Sequence, residues 1–207
     1  MSEIKIMQIR RHHKKILNNI ADLHIKSIHH GLLPLLGKDF LSELYSYVAE
    51  SLMSGIWVVM ADGYLIGFIA GCADRENLYN RILRKHGLSL LKYAFPALFR
   101  FSVIKKIILM GLESLNISSS DSISSSAELL SIAVDQKYTR KGHATLLVLA
   151  FEQQLLKWNI KEYVVMTNSK EVDSNAFYID REFHLVGTKK HHSLVLNIYK
   201  KKVPLPE

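Results

Sequence analysis

The chain has 207 residues, 48% of them hydrophobic and 22% charged, a balance that can bury a sizeable core and excludes an intrinsically disordered chain. That length fits one domain, 1–207, with an insertion, and the single cysteine, Cys72, excludes an internal disulfide framework and fits a reducing, cytoplasmic setting. The formal charge of +8 favours acidic partners: phosphorylated small molecules, an anionic membrane surface or nucleic acid.

Residues 1–15 are polar and basic, without the apolar stretch of a secretory signal, and no apolar run is long enough to span a membrane. Residues 4–9 (IKIMQI) alternate and predict a strand. Residues 11–30 predict a helix whose apolar face carries Ile16, Leu17, Ile20, Leu23 and Ile28. A break at 31–37, containing Pro34, precedes a second helix at 38–53 with Phe40, Leu41, Leu44, Tyr45 and Val48 on its buried side. Two strands follow, 56–61 and 64–73, joined by Asp62-Gly63, a turn pair that tolerates positive φ at both positions. Gly67 and Gly71 inside the second strand predict a bulge or a close backbone approach. Cys72 reads as a small buried hydrophobe and not a nucleophile.

Residues 75–115 predict helices broken near Gly87 and Pro96, with eight cations against two carboxylates, net +6. Four readings fit this insertion: a lid, a homodimer surface, a peripheral contact with an anionic membrane, or packing on the sheet with a solvated basic face. Residues 116–126 are serine-rich and predict a loop. Nucleic-acid binding is disfavoured, because the segment lacks aromatic-basic interleaving on a sheet and any docking motif.

The rest is organised around residues 128–154. A strand at 128–134 leads through a polar turn into a helix at 144–156. In the turn, Arg140 and Lys141 add positive charge and Gly142 allows close backbone approach to a ligand. The helix's first N–H groups lack internal partners and suit phosphate oxygens. Downstream, 162–167 predicts a strand parallel to 128–134, with Asn168 at its exit. A short helix at 173–179 and a closing hairpin, 183–188 and 193–199, follow; 200–202 and the tail are expected to be solvated.

Thr139-x-x-Gly142-x-Ala144 after a strand and before a helix, with Ser174-Asn175-Ala176-Phe177-Tyr178 downstream, resembles the GCN5-related N-acetyltransferases. Thr139 stands where that family usually has Gln or Arg, and Glu182-Phe183 where it often has Gly-Phe. The resemblance implies an α/β (α+β) fold, a mixed central sheet flanked by helices, with a helical insertion between strands 3 and 4. It implies acetyl-CoA as cosubstrate and no metal. The backbone of Ile132, Ala133 and Val134 would hold the pantetheine arm. Thr139, Arg140, Lys141, Gly142, His143, Ala144 and Thr145 would hold the pyrophosphate. Asn168 and Asn175 would complete the coenzyme site. Tyr178 would protonate the leaving thiolate and Glu128 relay the amine proton, with His24 and His29 near the acceptor. The implied reaction is direct attack by a primary amine of a small molecule, with a nucleotide-linked amino sugar of surface-polysaccharide synthesis as the leading acceptor. The alternative is a non-catalytic coenzyme-binding protein that docks on membrane or protein through its basic insertion.

Overall fold

Seven strands make one sheet in the computed structural model, which describes residues 3–29, 31–99, 127–191 and 194–204. They are β1 (Ile4–Ile9), β2 (Ser54–Ala61), β3 (Tyr64–Cys72), β4 (Glu128–Val134), β5 (Glu162–Asn168), β6 (His184–His191) and β7 (Leu194–Lys202). Their order across the sheet is β1-β2-β3-β4-β5-β7-β6. Every neighbouring pair is antiparallel except β4 and β5, which are parallel. Six helices flank the sheet among the described residues: α1 (Lys14–Ser27), α2 (Leu33–Leu36), α3 (Lys38–Glu50), α4 (Arg75–Leu98), α5 (His143–Lys157) and α6 (Val172–Asp180). The mixed sheet with a helix between strands 3 and 4 is the expected architecture. The rest of the expected insertion, 100–115, and the serine-rich 116–126 lie outside the described residues.

Strand periodicity divides the core between the two faces. Ile56 and Val58 of β2 join Phe68 and Ala70 of β3 beneath Leu17, Ile20, Leu41, Val48, Leu78 and Ile82 of α1, α3 and α4. Their alternates Trp57, Val59 and Ile69 meet Leu147, Val148, Phe151 and Leu155 of α5 on the opposite face. Gly71 is required by this packing, because a Cβ there would stand 2.4 Å from the Phe151 ring. At Asp62 and Gly63, φ is +48° and +81°, as the hairpin expectation demands.

Three local expectations are corrected. The supposed break at 31–37 contains the short helix α2, with Pro34 in its first turn, where a missing N–H costs nothing. Helix α4 runs unbroken through Gly87 and Pro96. Leu78, Ile82, Leu90, Ala94 and Ala97 bury one face of it, and that packing outweighs the roughly 1 kcal/mol glycine cost. Lys200–Lys202 are not a free tail but the end of β7, where Lys200 and Lys201 are half-buried and Lys202 is exposed as expected.

Lys201 completes a charged cluster under α5. Its Nζ lies 2.9 Å from Oε1 of the buried Glu152, which also accepts a 2.7 Å hydrogen bond from the Tyr163 hydroxyl. Oε2 of Glu152 has no partner. Lys201→Met would strand this carboxylate in the core, so a loss of about 3–5 kcal/mol in unfolding free energy is expected. Urea titration of both proteins checks this, and a change below about 1 kcal/mol would mean that the pair is solvated.

Candidate active site

Strands β4 and β5 share only two registered pairs, Glu128 with Val164 and Leu129 with Val165. Beyond them the strands part, and the β5-facing edge of β4 is left without a ladder partner. On its other side β4 stays paired to β3 as far as Val134, with a register shift that makes Leu130 an extra residue between the Ser131 and Leu129 pairings. Such a bulge redirects backbone groups locally.

The fork opens into a cleft of about 700 Å³. Ile132, Ala133 and Val134 form one wall. The turn and first helical residues, Thr139, Arg140, Gly142, His143, Ala144 and Thr145, form the end, and Ser174, Phe177 and Tyr178 of α6 form the opposite wall. Gly142 has φ +81° and caps α5, and a Cβ there would meet nothing within 4 Å. The free N–H groups of α5's first turn therefore face open space, with the helix dipole behind them. A phosphate-bearing chain fits this end and an extended amide-bearing arm fits the unpaired edge of β4.

The sequence supports the same reading. A sequence model of the acetyltransferase (GNAT) family matches residues 25–183. The chain belongs to the GNAT acetyltransferase family. No curated protein matches the chain. Among solved structures, SsHAT aligns with a TM-score of 0.67 at 14% identity, over 98% of this chain and 100% of that one. The PaiA N-acetyltransferase from Thermoplasma acidophilum, in complex with coenzyme A, aligns at 0.58 and 18%, over 97% and 99%. A GNAT-family acetyltransferase from Streptococcus pneumoniae aligns at 0.59 and 12%, over 98% and 100%. At these identities the likeness is one of fold.

Not every residue expected at this acetyltransferase's site lies in the cleft. Lys141 is outside its lining, with Nζ 5.5 Å from the centre of the Tyr138 ring. Asn175 is also outside the lining, and its amide is committed inside the fold. Its Nδ2 donates to the carbonyls of Asn168 and Glu171, and its Oδ1 accepts from Asn197 Nδ2 and the Tyr199 hydroxyl. Asn168 is buried, and its side chain accepts from the Lys170 N–H. The two asparagines thus clamp α6 against β5 and β7. Arg140 lies in the lining but pairs with Asp173 at 3.0 Å, both side chains exposed, a contact an incoming phosphate could displace at little cost.

Tyr178 is placed by the end of α6. Phe183 N–H bonds back to the Tyr178 carbonyl and Glu182 N–H to that of Ile179, with Glu182 at φ +64°. This is a Schellman cap, whose left-handed position normally holds glycine. The Gly replaced by Glu182 is therefore a conformational departure, costing of order 1 kcal/mol. The Phe183 ring packs 5.2 Å from that of Tyr178. Burial raises the phenol above its ordinary value of 10.0. Full proton transfer to a thiolate is then steeper than the free phenol implies, and donation of a hydrogen bond is what this group does best.

Glu128 sits at the root of the fork. The sequence allows a solvent-exposed strand end, but the residue is buried, 8% exposed. Its Oε2 lies 3.1 Å from Nε of Arg75, the first residue of α4. Burial, opposed by the charges of Arg75 and Lys189, raises its carboxyl from 4.5 to about 7. It is therefore poised to exchange a proton near neutrality.

The two histidines are not brought to this cleft. His24 falls on the buried face of α1 with Leu17, Ile20 and Ala21, and its Nδ1 is 2.6 Å from the Tyr45 hydroxyl. Burial lowers its pKa to about 4, so it stays neutral. His29 is exposed beyond the end of α1. Sequence reasoning missed Gln136, Tyr138, Asp173, Ser174 and Arg181 in the cleft lining. Ser174 lies within the Ser174–Tyr178 motif and was within reach of it. Arg181 carried no signal, because only the cap turn aims it there. Among the described residues no cluster of His, Cys, Asp or Glu could hold a metal ion.

Proposed function

We propose that this acetyltransferase transfers the acetyl group of acetyl-CoA to a primary amine of a small molecule by direct attack. The observation that carries the reading is the fork between β4 and β5, whose cleft runs from the Gly142-capped helix end to Tyr178, while Glu128 stands at the root of the fork, outside the cleft lining. In this reading the amine nitrogen attacks the thioester carbonyl carbon and the C–S bond breaks. Glu128 takes the ammonium proton, through water where the distance requires it. The phenol of Tyr178 donates a hydrogen bond to the departing sulfur, and the thiolate is finally protonated from solvent. A backbone N–H of β4 near Ile132 or Ala133 polarises the carbonyl oxygen.

Direct attack is favoured over an acetyl-cysteine route. Burial and the neighbouring Glu128 push the Cys72 thiol up to about 12, and the residue is fully buried, so it offers no thiolate at neutral pH. An acceptor carrying both an amine and phosphate suits the formal charge of +8 and the cations beside Glu128. Nucleotide-linked amino sugars are the class to test first. The deciding assay follows thiol release from acetyl-CoA with a panel of such amines and identifies the N-acetyl product. Saturable acetyl-CoA binding without turnover on any amine would sink the catalytic reading in favour of a coenzyme-binding docking protein. Tyr178→Phe is expected to lower kcat by roughly tenfold to a hundredfold with KM for acetyl-CoA unchanged, as for a contact made only in the transition state. An unchanged kcat would assign Tyr178 to packing alone.

A further inference from the structure

Helix α4 is apolar on two faces, and only one of them is buried in the domain. Leu78, Ile82, Leu90, Ala94 and Ala97 pack inward. On the opposite side Leu88, Leu91, Phe95 and Phe99 follow one another at helical spacing and are exposed, Leu88 by 87% and Phe99 by 75%. The Phe95 and Phe99 rings meet edge-on at 5.0 Å, so the ridge has a continuous aromatic end. An exposed apolar ridge of this kind marks an interaction surface.

The same outward stripe is basic. Arg81 and Arg84 precede Leu88 at the same spacing, with Lys85 and Lys92 beside them. All four are exposed, and none forms a salt bridge among the described residues. Arg81, Arg84 and Lys85 line a groove of about 650 Å³ together with Asn77, Asn80 and Asp74. Asp74 is engaged as the cap of α4, accepting from Asn77. The stripe itself carries no carboxylate.

We propose that the outward face of α4 docks on an anionic lipid bilayer, Leu88, Leu91, Phe95 and Phe99 entering the interface while Arg81, Arg84, Lys85 and Lys92 engage lipid phosphates. Charge selects this occupant. A second copy of the chain would bring four more cations to the contact, whereas an anionic bilayer neutralises those present. Apolar and basic residues side by side on one exposed helix are the pattern of helices that lie in a membrane surface. No helix among the described residues is long and apolar enough to cross a membrane, so the contact is peripheral. It leaves the acetyl-CoA cleft untouched, since none of these eight residues lines it.

The test is co-sedimentation of the full chain with phosphatidylcholine vesicles and with vesicles containing about one third phosphatidylglycerol. Wild type is expected to pellet with the anionic vesicles only, and less as salt rises. The double variant Leu88→Asp/Phe95→Asp and the triple variant Arg81→Gln/Arg84→Gln/Lys85→Gln should each lose at least about tenfold in vesicle affinity, with acetyl-CoA binding and thermal midpoint unchanged. Four results would overturn the proposal. Wild type stays in the supernatant with anionic vesicles. It binds RNA while ignoring vesicles. It forms a dimer that Phe95→Asp dissolves. The aspartate variant loses several degrees of thermal stability, which would mean that the rest of the chain already covers the ridge.

Discussion

Glu128→Gln is expected to lower kcat by roughly a hundredfold to ten-thousandfold and to erase the acidic limb of the pH profile. In the proposed reaction the carboxylate, not the acid, takes the amine proton, and burial raises its pKa to about 7. In wild type kcat/KM for the acceptor should therefore rise about tenfold per pH unit below that value and bend near it. Arg75 opposes the rise, so Arg75→Gln should move the bend to higher pH. A merely structural role for Glu128 would leave the profile in place. Stability carries the opposite sign. Because the folded chain holds this proton more tightly than the unfolded one, the contribution of Glu128 is fully present below about 4.5 and is lost as pH rises through about 7. Glu128→Gln should flatten that dependence while it removes activity. A pH–rate series and urea titrations on the three proteins separate the two effects. A limb that survives in Glu128→Gln would assign the base to another group.

Gly142→Asp is expected to weaken acetyl-CoA binding at least about a hundredfold, about 2.8 kcal/mol, in a protein that still folds. The φ of +81° at Gly142 strains any L residue, but Asp tolerates the left-handed region better than most and is itself a good N-cap. A Cβ meets nothing within 4 Å, so the cost falls on the ligand. A carboxylate would stand beside the first N–H groups of α5, where the proposed binding mode places a phosphate. Gly142→Ala adds bulk without charge and separates the two contributions. Isothermal titration with acetyl-CoA measures both variants, and wild-type affinity in Gly142→Asp would remove the helix end from the binding site.

Much of this was legible without coordinates. The bounds of β4, 128–134, followed from an apolar run stopped by Asp135. The capped turn at Gly142 followed from a glycine between basic residues ahead of a helical pattern. The Asp62-Gly63 hairpin followed from local φ preferences. These are short-range properties, set by steric limits and side-chain spacing within a few residues, and the sequence alone determined them. Helix α4 shows where that range ends: Gly87 and Pro96 read as breaks until packing is counted.

Tertiary structure alone decided the rest. The fork depends on how far β4 and β5 stay in register, which is a property of two strands and not of either. Burial turned Glu128 from a strand-end carboxylate into a group that titrates near neutrality, and it removed His24 from solvent. Asn175 carries a motif-like position, yet its four hydrogen bonds reach residues between 4 and 24 positions away. Desolvation and long-range hydrogen bonding depend on what surrounds a residue in space, and the order of residues along a chain does not state that.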